Sequence, residues 1–253
     1  MQQWHDMLRF RWGVLAILLC VAAKTAFAAP TISVVFVGNS LTQANDLPEV
    51  SKRFAAASPL HIQIEVHSTT PGGAFLYDNW KRGEAIALLR QYHPRFFILQ
   101  GQSTEPLSAQ QSFIYYAGLF KAAADRENAV TVLFSTWARP AGDAYYRDPT
   151  SGGSPPEMQT RLNSGYATLS EKLGARLAPI GVAWQTAHGT APAIQLLDGT
   201  QHPSVAGTYL TAAVLFRTLF STAAASSTYY DSLPKETALT LQSIANAVPI
   251  SNY

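Results

Sequence analysis

The sequence predicts an α/β fold in which a parallel sheet of about five strands is covered by helices on both faces. Apolar runs of strand length alternate with helical patterns along most of the chain, which is typical of parallel sheets with crossover helices. Polar, glycine-containing segments follow several of these apolar runs, at the edge where open α/β sheets bind their ligands. The sequence contains no internal repeat and no long low-complexity segment.

The first half of the chain contains three predicted strands and three predicted helices. The strands cover 32–37, 61–66 and 95–99, and the helices cover 47–57, 84–92 and 108–125. The second strand alternates apolar and polar residues, which is the period of a half-exposed strand. Asn45 and Asp46 are candidate caps of the first helix, and Pro48 suits its first turn.

The second half contains two further strands, at 129–135 and 176–180. Helices are predicted at 158–173, 205–220 and 235–248, with a helical turn within 181–189. Residues 139–157 form the longest irregular stretch. A stretch of this length is either a functional rim or lid, or a disordered surface insertion.

Residues 1–28 are predicted to be an export signal, and residues 29–253 a single domain. Arg9 and Arg11 precede an apolar run, and Ala26-Phe27-Ala28 then matches a small-x-small cleavage site. The apolar run is shorter than the about 20 residues that span a membrane. The sequence therefore predicts a periplasmic or secreted protein without a membrane span after signal cleavage.

Signal cleavage also changes the charge and the cysteine content. The chain has 18 basic and 16 acidic residues, and cleavage leaves 15 of each. A neutral chain does not indicate a nucleic-acid partner. The single cysteine, Cys20, leaves with the signal, which excludes thiolate catalysis and a Cys-ligated zinc site. The alternatives are an uncleaved anchor helix and a lipidated Cys20.

A serine and a histidine–aspartate pair are the candidate catalytic residues. Ser40 directly follows the first buried strand, and Gly38 permits a tight turn there. Asp198 and His202 lie in one short loop ahead of a helix. A nucleophile, its base and a carboxylate that orients the base are the components of the catalytic triad in serine hydrolases. A turn serine and an Asp-Gly turn are the structural alternatives.

His202 is preferred over the other histidines as the base. His61, His67 and His93 flank predicted strands, whereas His188 lies in a loop rich in glycine and alanine and is the fallback base. Only His202 has a carboxylate in its own loop, and that carboxylate can accept the Nδ1–H of the imidazole.

Three groups are candidate donors to the oxyanion of a tetrahedral intermediate. They are the backbone N–H groups of Ser40 and Gly73 and the side-chain amide of Gln102. Gln100 is a rival to Gln102, and the sequence leaves this choice open.

These motifs resemble the four conserved blocks of the SGNH (GDSL-type) hydrolases, especially bacterial members that carry Gly-Asn-Ser-Leu. The resemblance implies a flavodoxin-like three-layer α/β/α sandwich with a parallel five-stranded sheet, and ester hydrolysis without a metal or cofactor. It makes Ser40 the nucleophile, His202 the base and Asp198 its orienter. It also places Gly73 and an amide residue, here Gln102, beside the Ser40 backbone in the oxyanion hole.

Two departures from the family pattern matter. The third block reads Gln100-Gly101-Gln102-Ser103 in place of Gly-x-Asn-Asp, so a longer amide would serve as donor. Three residues instead of two separate Asp198 from His202. The loop must bulge to bring the carboxylate to the imidazole; otherwise a Ser–His dyad remains, with the histidine braced by a backbone carbonyl.

The predicted function is therefore an exported serine esterase for short acyl esters, such as acetyl esters, of a carbohydrate or another polar alcohol. Asn39, Trp137 and Arg139 are the predicted substrate contacts, with core packing as the alternative for Trp137. The alternative functions are a catalytically silent glycan-binding protein of the same fold and an O-acyltransferase.

Overall fold

A parallel five-stranded sheet forms the centre of the protein. The structure is a computed structural model that describes residues 31–224 and 227–250, so the predicted signal at 1–28 lies outside the described residues. The strands are β1 (Ile32–Val37), β2 (Ile64–Thr69), β3 (Phe96–Gln100), β4 (Val130–Phe134) and β5 (Arg176–Ala178). All four pairings are parallel, in the order β2-β1-β3-β4-β5.

Helices connect the strands and cover both faces of the sheet. They are α1 (Ser40–Gln43), α2 (Leu47–Ala56), α3 (Leu76–Arg82), α4 (Glu84–Tyr92), α5 (Glu105–Ser108), α6 (Gln110–Arg126), α7 (Pro155–Leu173), α8 (Ile180–Thr190), α9 (Val205–Phe220) and α10 (Lys235–Ala247). Among the described residues, none of these helices has the length and apolar content needed to cross a lipid bilayer. The predicted three-layer α/β/α fold with a parallel sheet is confirmed.

The alternation of side chains along each strand divides the core into two halves. Val34 and Phe36 of β1 pack on one face, with α2, α8, α9 and α10. Val35 and Val37 pack on the other face, with α3, α4, α6 and α7. Because both faces are covered, the inner strands β1, β3 and β4 are mostly apolar, and the carboxyl ends of the strands form one polar edge.

The second strand lies three residues further along the chain than its alternation predicts. It begins at Ile64, which pairs with Ile32 of β1. His61, where the predicted strand begins, adopts a left-handed φ of 46° in the turn after α2. Alternation is compatible with several registers on a half-exposed edge strand, so the pairing with β1 decides the position.

The irregular stretch at 139–157 is ordered by local hydrogen bonds. Asp143 and Asp148 each cap a 3₁₀ turn, at Ala144–Arg147 and Pro149–Ser151 respectively. Helix α7 already begins at Pro155, three residues before the predicted start. The stretch therefore forms a structured rim beside the carboxyl ends of β3 and β4, where Arg139 bonds Ser103.

Candidate active site

Ser40 is presented at the carboxyl edge of the sheet by a tight turn after β1. It is the first residue of α1 and is half-buried. A Cβ at Gly38 would lie 2.5 Å from both Gln100 Oε1 and Thr42 Oγ1. Only glycine therefore allows the turn to approach the end of β3 so closely.

Asn39 supports this turn and leaves no side-chain surface for a substrate. The residue is 2% exposed. Its Oδ1 accepts the N–H of Leu41 and its Nδ2 donates to the carbonyl of Ala74, each at 3.0 Å. Asn39 thus caps α1 and fixes the loop that contains Gly73. The prediction that Asn39 contacts the substrate is corrected accordingly.

The structure brings the predicted base to the predicted nucleophile. His202 Nε2 lies 2.9 Å from Ser40 Oγ, although 162 residues separate them in the sequence. This distance permits direct proton transfer between the hydroxyl and the imidazole. The fallback base His188 lies near the end of α8, where its ring packs against Trp184.

Asp198 does not reach the imidazole directly, because Thr200 stands between them. The Thr200 hydroxyl donates to Asp198 Oδ1 at 2.6 Å. Its oxygen lies 3.0 Å from His202 Nδ1 and also accepts the backbone N–H of His202 at 3.1 Å. Since the hydroxyl proton is given to Asp198, the oxygen accepts the Nδ1–H, and Nε2 is left free to take the Ser40 proton.

This arrangement corrects the prediction that Asp198 orients His202 by a direct contact. The three residues between them form a turn in which Gly199 has a φ of +98° and Thr200 N–H bonds Asp198 Oδ1 at 2.9 Å. The hydrogen bonds from Thr200 hold the pKa of Asp198 below its ordinary value. Asp198 is therefore ionised at neutral pH and acts on the imidazole through the hydroxyl.

Three anchors hold the loop that carries His202. Leu197 and Pro203 form an antiparallel bridge across its base. Trp137 Nε1 donates to the Gln201 carbonyl at 3.1 Å, and Asn45 Nδ2 donates to the Pro203 carbonyl at 2.9 Å. Asn45 therefore connects the segment after Ser40 to the histidine loop and does not cap α2 as predicted.

Asp46 also differs from its predicted capping role. It occupies the N-cap position of α2 but adopts a left-handed φ of 52°, and its side chain makes no capping hydrogen bond. An N-cap side chain reaches the first turn of a helix from an extended backbone, which this conformation does not provide.

The amide oxygen of Gln102 is held by hydrogen bonds while no described residue bonds its amide nitrogen, whereas both ends of the Gln100 amide are hydrogen-bonded. Gln102 Oε1 accepts from Thr104 N and Oγ1 at 2.6 and 2.9 Å. Gln100 is 0% exposed; its Oε1 binds Asn39 N and Thr42 Oγ1, and its Nε2 donates to the Gly101 carbonyl. The geometry thus favours Gln102 over Gln100 as the amide donor to an oxyanion.

Glu105, which was not predicted from the sequence, connects the two loops that carry the other candidate oxyanion donors. Its side chain is 0% exposed. Its carboxylate oxygens accept Leu76 N–H at 3.0 and 3.1 Å and Gln102 N–H at 2.9 Å. Burial raises the pKa of Glu105 to about 7, although these backbone donors act in the opposite direction. The sequence feature that could have indicated Glu105 is the position of an acidic residue directly after a buried strand and its polar loop.

Glu105 is expected to make the stability of the protein depend on pH. Its pKa rises from 4.5 to about 7 on folding, so the folded state binds more protons than the unfolded state between these values. The free energy of unfolding should therefore fall as the pH rises from 4.5 to 7, by up to about 3 kcal/mol at 1.36 kcal/mol per pKa unit. Urea titrations of the wild type and Glu105→Gln across this range measure the slope. Parallel curves for the two proteins would contradict the prediction.

Trp137 and Arg139 line a cavity beside the site, and contacts within the protein hold both side chains. Trp137 is 2% exposed and stacks on Trp184 with ring centroids 3.9 Å apart, so its packing alternative is the observed one. Arg139 Nη1 binds Asp143 Oδ2 at 3.2 Å and Nη2 binds Ser103 Oγ at 3.1 Å. The guanidinium of Arg139 is thus paired with Asp143, and its contact with a substrate stays a prediction.

Metal ligands are not clustered in the described part of the chain. Across residues 31–224 and 227–250, no three His, Cys, Asp or Glu side chains lie close enough to hold a metal ion. The groups that the structure does bring together are the hydroxyl of Ser40 and the imidazole of His202.

Comparison of the sequence with family models gives no match, and neither does comparison with curated proteins. Several solved structures are similar to the structure of this chain. A protein from Slackia heliotrinireducens assigned as an SGNH hydrolase is 28% identical, with a TM-score of 0.63 over 75% of this chain and 100% of its own. A DUF4886 family protein from Bacteroides uniformis is 15% identical, with a TM-score of 0.68 over 86% and 94%.

An acetylxylan esterase from Geobacillus stearothermophilus, in a catalytic-mutant form, is also similar to the chain. It is 14% identical, with a TM-score of 0.57 over 75% of this chain and 94% of its own. Together with the sheet order and the edge on which Ser40 and His202 meet, these neighbours show that the chain has the fold of the SGNH/GDSL hydrolases.

Proposed function

We propose that the protein is an exported serine esterase that hydrolyses short acyl esters, such as acetyl esters, of a carbohydrate or another polar alcohol. The observation that carries the proposal is the distance of 2.9 Å between Ser40 Oγ and His202 Nε2. The SGNH hydrolase and the acetylxylan esterase among the neighbours support the reaction class. The acetylxylan esterase among them supports a short acyl group on a sugar.

In the proposed first step, Ser40 Oγ attacks the ester carbonyl carbon while His202 Nε2 takes the hydroxyl proton. The carbonyl oxygen becomes an oxyanion, which receives hydrogen bonds from the N–H groups of Ser40 and Gly73 and from Gln102 Nε2. The intermediate collapses, His202 returns the proton to the departing alcohol oxygen, and the acyl group stays on Ser40.

In the second step, His202 takes a proton from a water molecule that attacks the acyl carbon. As the second intermediate collapses, the bond between the acyl carbon and Ser40 Oγ breaks, the carboxylic acid is released, and His202 Nε2 returns the proton to Ser40 Oγ. Throughout the cycle, Thr200 and Asp198 keep the proton of the neutral imidazole on Nδ1, and they stabilise the imidazolium when Nε2 is protonated.

The proposed export rests on residues 1–28 alone, where a basic segment, an apolar run and an Ala-x-Ala site follow one another. Expression of the full chain with fractionation of the cells tests it. We expect the mature protein in the periplasm or medium with its N-terminus at Ala29.

Labelling with a serine-reactive organophosphonate tests the proposed nucleophile. We expect one phosphonyl group per protein molecule, and peptide mapping should assign it to Ser40, because its hydroxyl lies 2.9 Å from His202 Nε2. Ser164→Ala, which removes an exposed serine of α7, is the matched control and should label normally.

A label on another serine would overturn the site assignment. Product analysis with an added acceptor sugar separates hydrolysis from acyl transfer, because a transferase would acylate the sugar. Absence of both labelling and turnover would favour a glycan-binding protein of the same fold.

A further inference from the structure

A cavity of about 510 Å³ lies on the carboxyl edge of the sheet, beside the candidate active site. Its walls come from the loop after β4, the start of α7, the end of α8 and Leu197. Two of its lining residues hold the catalytic loops: Trp137 bonds the carbonyl of Gln201, next to His202, and Arg139 bonds Ser103, next to Gln102. The cavity therefore adjoins the loops that carry the proposed base and the proposed oxyanion donor.

The walls of this cavity are mostly apolar and carry no free charge. Their carbon surface comes from one tryptophan, one leucine, two alanines and three prolines, namely Trp137, Leu197, Ala138, Ala141, Pro140, Pro155 and Pro156. The Arg139 guanidinium is paired with Asp143. Gln159 is committed to Ala138 N–H and Asn163.

His188 is the remaining titratable group of the cavity, at its exposed rim. Partial burial lowers the pKa of this imidazole, so the ring is uncharged at neutral pH. The apolar walls, the paired arginine and the neutral imidazole together favour an occupant without charge, because an unpaired ion in such surroundings would lose hydration without compensation.

The direction of the reaction indicates which half of an ester this cavity receives. His202 Nε2 must return its proton to the alcohol oxygen, so the alcohol departs on the histidine side of Ser40. The cavity adjoins the His202 loop through Leu197, which forms the bridge with Pro203. Its volume lies within the range of about 300–1,000 Å³ of small-molecule sites.

We propose that this cavity binds the alcohol moiety of the ester as a neutral ring with an apolar face, such as an aryl group or the C–H face of an uncharged sugar. The proposal rests on the proposed function and deepens it, since it assigns a leaving-group site. Rings with charged substituents are excluded by the lack of a free counter-charge.

Two substitutions at the rim test this assignment by filling the cavity. Gly189 lies in α8 with no atom within 4 Å of an added Cβ, and Ala141 lies in the loop after β4. We expect Gly189→Phe and Ala141→Phe each to lower kcat/KM for 2-naphthyl acetate about 10- to 100-fold, mainly through KM, which is the effect of losing a buried ring. Methyl acetate, whose alcohol does not fill the cavity, should change less than about twofold.

Gly165→Phe is the matched control. Gly165 is also a helical glycine with open space around an added Cβ, but it lines a separate groove beside α6. It should leave both substrates unchanged. For the wild type, kcat/KM should be lower for a naphthyl acetate that carries a carboxylate on the ring than for 2-naphthyl acetate. In Gly189→Phe and Ala141→Phe, the two substrates should have the same kcat/KM.

If Gly189→Phe and Ala141→Phe lower kcat/KM equally for 2-naphthyl acetate and methyl acetate, the proposal is overturned. A selective loss of kcat/KM for methyl octanoate would also overturn it, because it would assign the cavity to the acyl chain. The proposed function fails separately, if no hydrolysis depends on Ser40. In that case calorimetric titration with 2-naphthol still tests the cavity: the wild type and Gly165→Phe should bind, and Gly189→Phe should not. Equal binding by all three proteins would overturn the proposal.

Discussion

Replacing Ser40 with alanine is expected to lower kcat for p-nitrophenyl acetate by about 10⁴-fold or more. The reason is that Ser40 Oγ is the hydroxyl that lies against His202 Nε2, at 2.9 Å. His202→Ala should cause a loss of similar size, because a serine hydroxyl without its base is a weak nucleophile. Steady-state kinetics of the purified variants measures both effects.

The double variant makes this prediction specific for a catalytic pair. Residues that act as one unit are not additive, so Ser40→Ala combined with His202→Ala should be about as slow as either single variant. Ser164→Ala should retain wild-type kinetics. Independent losses that multiply in the double variant, or a Ser40→Ala protein with normal turnover, would contradict the assignment.

Replacing Thr200 with valine is expected to lower kcat by about 10²-fold and to leave KM nearly unchanged. This loss is smaller than the loss of about 10⁴-fold in kcat that occurs when an imidazole is held in the wrong tautomer. Valine has nearly the shape of threonine but cannot accept the Nδ1–H of His202, which the Thr200 oxygen accepts at 3.0 Å. Thr200→Ser keeps the hydroxyl and should restore kcat to within a few-fold of the wild type.

Asp198 should act through the same hydroxyl. In the wild type, Asp198 Oδ1 takes the Thr200 proton at 2.6 Å, so the oxygen faces His202 as an acceptor. In Asp198→Asn the amide can donate to Thr200, and the hydroxyl can then rotate and donate to Nδ1. The proton would move to Nε2, where it blocks proton transfer from Ser40.

Nitrogen NMR of the His202 ring distinguishes this arrangement from a direct Ser-His-Asp triad. We expect the wild type and Thr200→Ser to carry the proton on Nδ1, and Asp198→Asn to shift it toward Nε2. A direct triad would make Thr200→Val neutral and Asp198→Ala strongly impaired. That pattern of kcat values would overturn the role of Thr200.

The elements whose bounds were predicted correctly include β1 and α9, which are mostly buried, and α4 (Glu84–Tyr92), which buries only Ala85 and Leu89. β1 and α9 have the predicted bounds, at Ile32–Val37 and Val205–Phe220. Both lie in the core, where continuous apolar composition specifies the element. The edge strand β2 and the short helix α3 were misplaced or missed, because half-exposed segments carry weaker patterns and their positions depend on pairing and packing.

The sequence was enough to predict which segments meet at the candidate site. It was not enough to predict which atoms of those segments contact one another. Gln100 and Gln102 are two residues apart and chemically identical, and their different roles follow only from the burial of Gln100 under the Ser40 turn. Glu105 gave little sequence signal for its contacts with Leu76 and Gln102. Burial and hydrogen-bond partners depend on neighbours that are distant in the chain.

The sequence by itself determined that Ser40, Gly73 and Gln102 lie on one edge, because parallel strands joined by crossover helices place their carboxyl ends together. Only the tertiary structure decided that Thr200, and not Asp198, faces the imidazole. The order of strands and helices fixes the position of a loop only to within several ångströms. A hydrogen bond requires its donor and acceptor atoms to lie about 3 Å apart. That last distance was set by the turn at Gly199 and by the anchors that hold the loop.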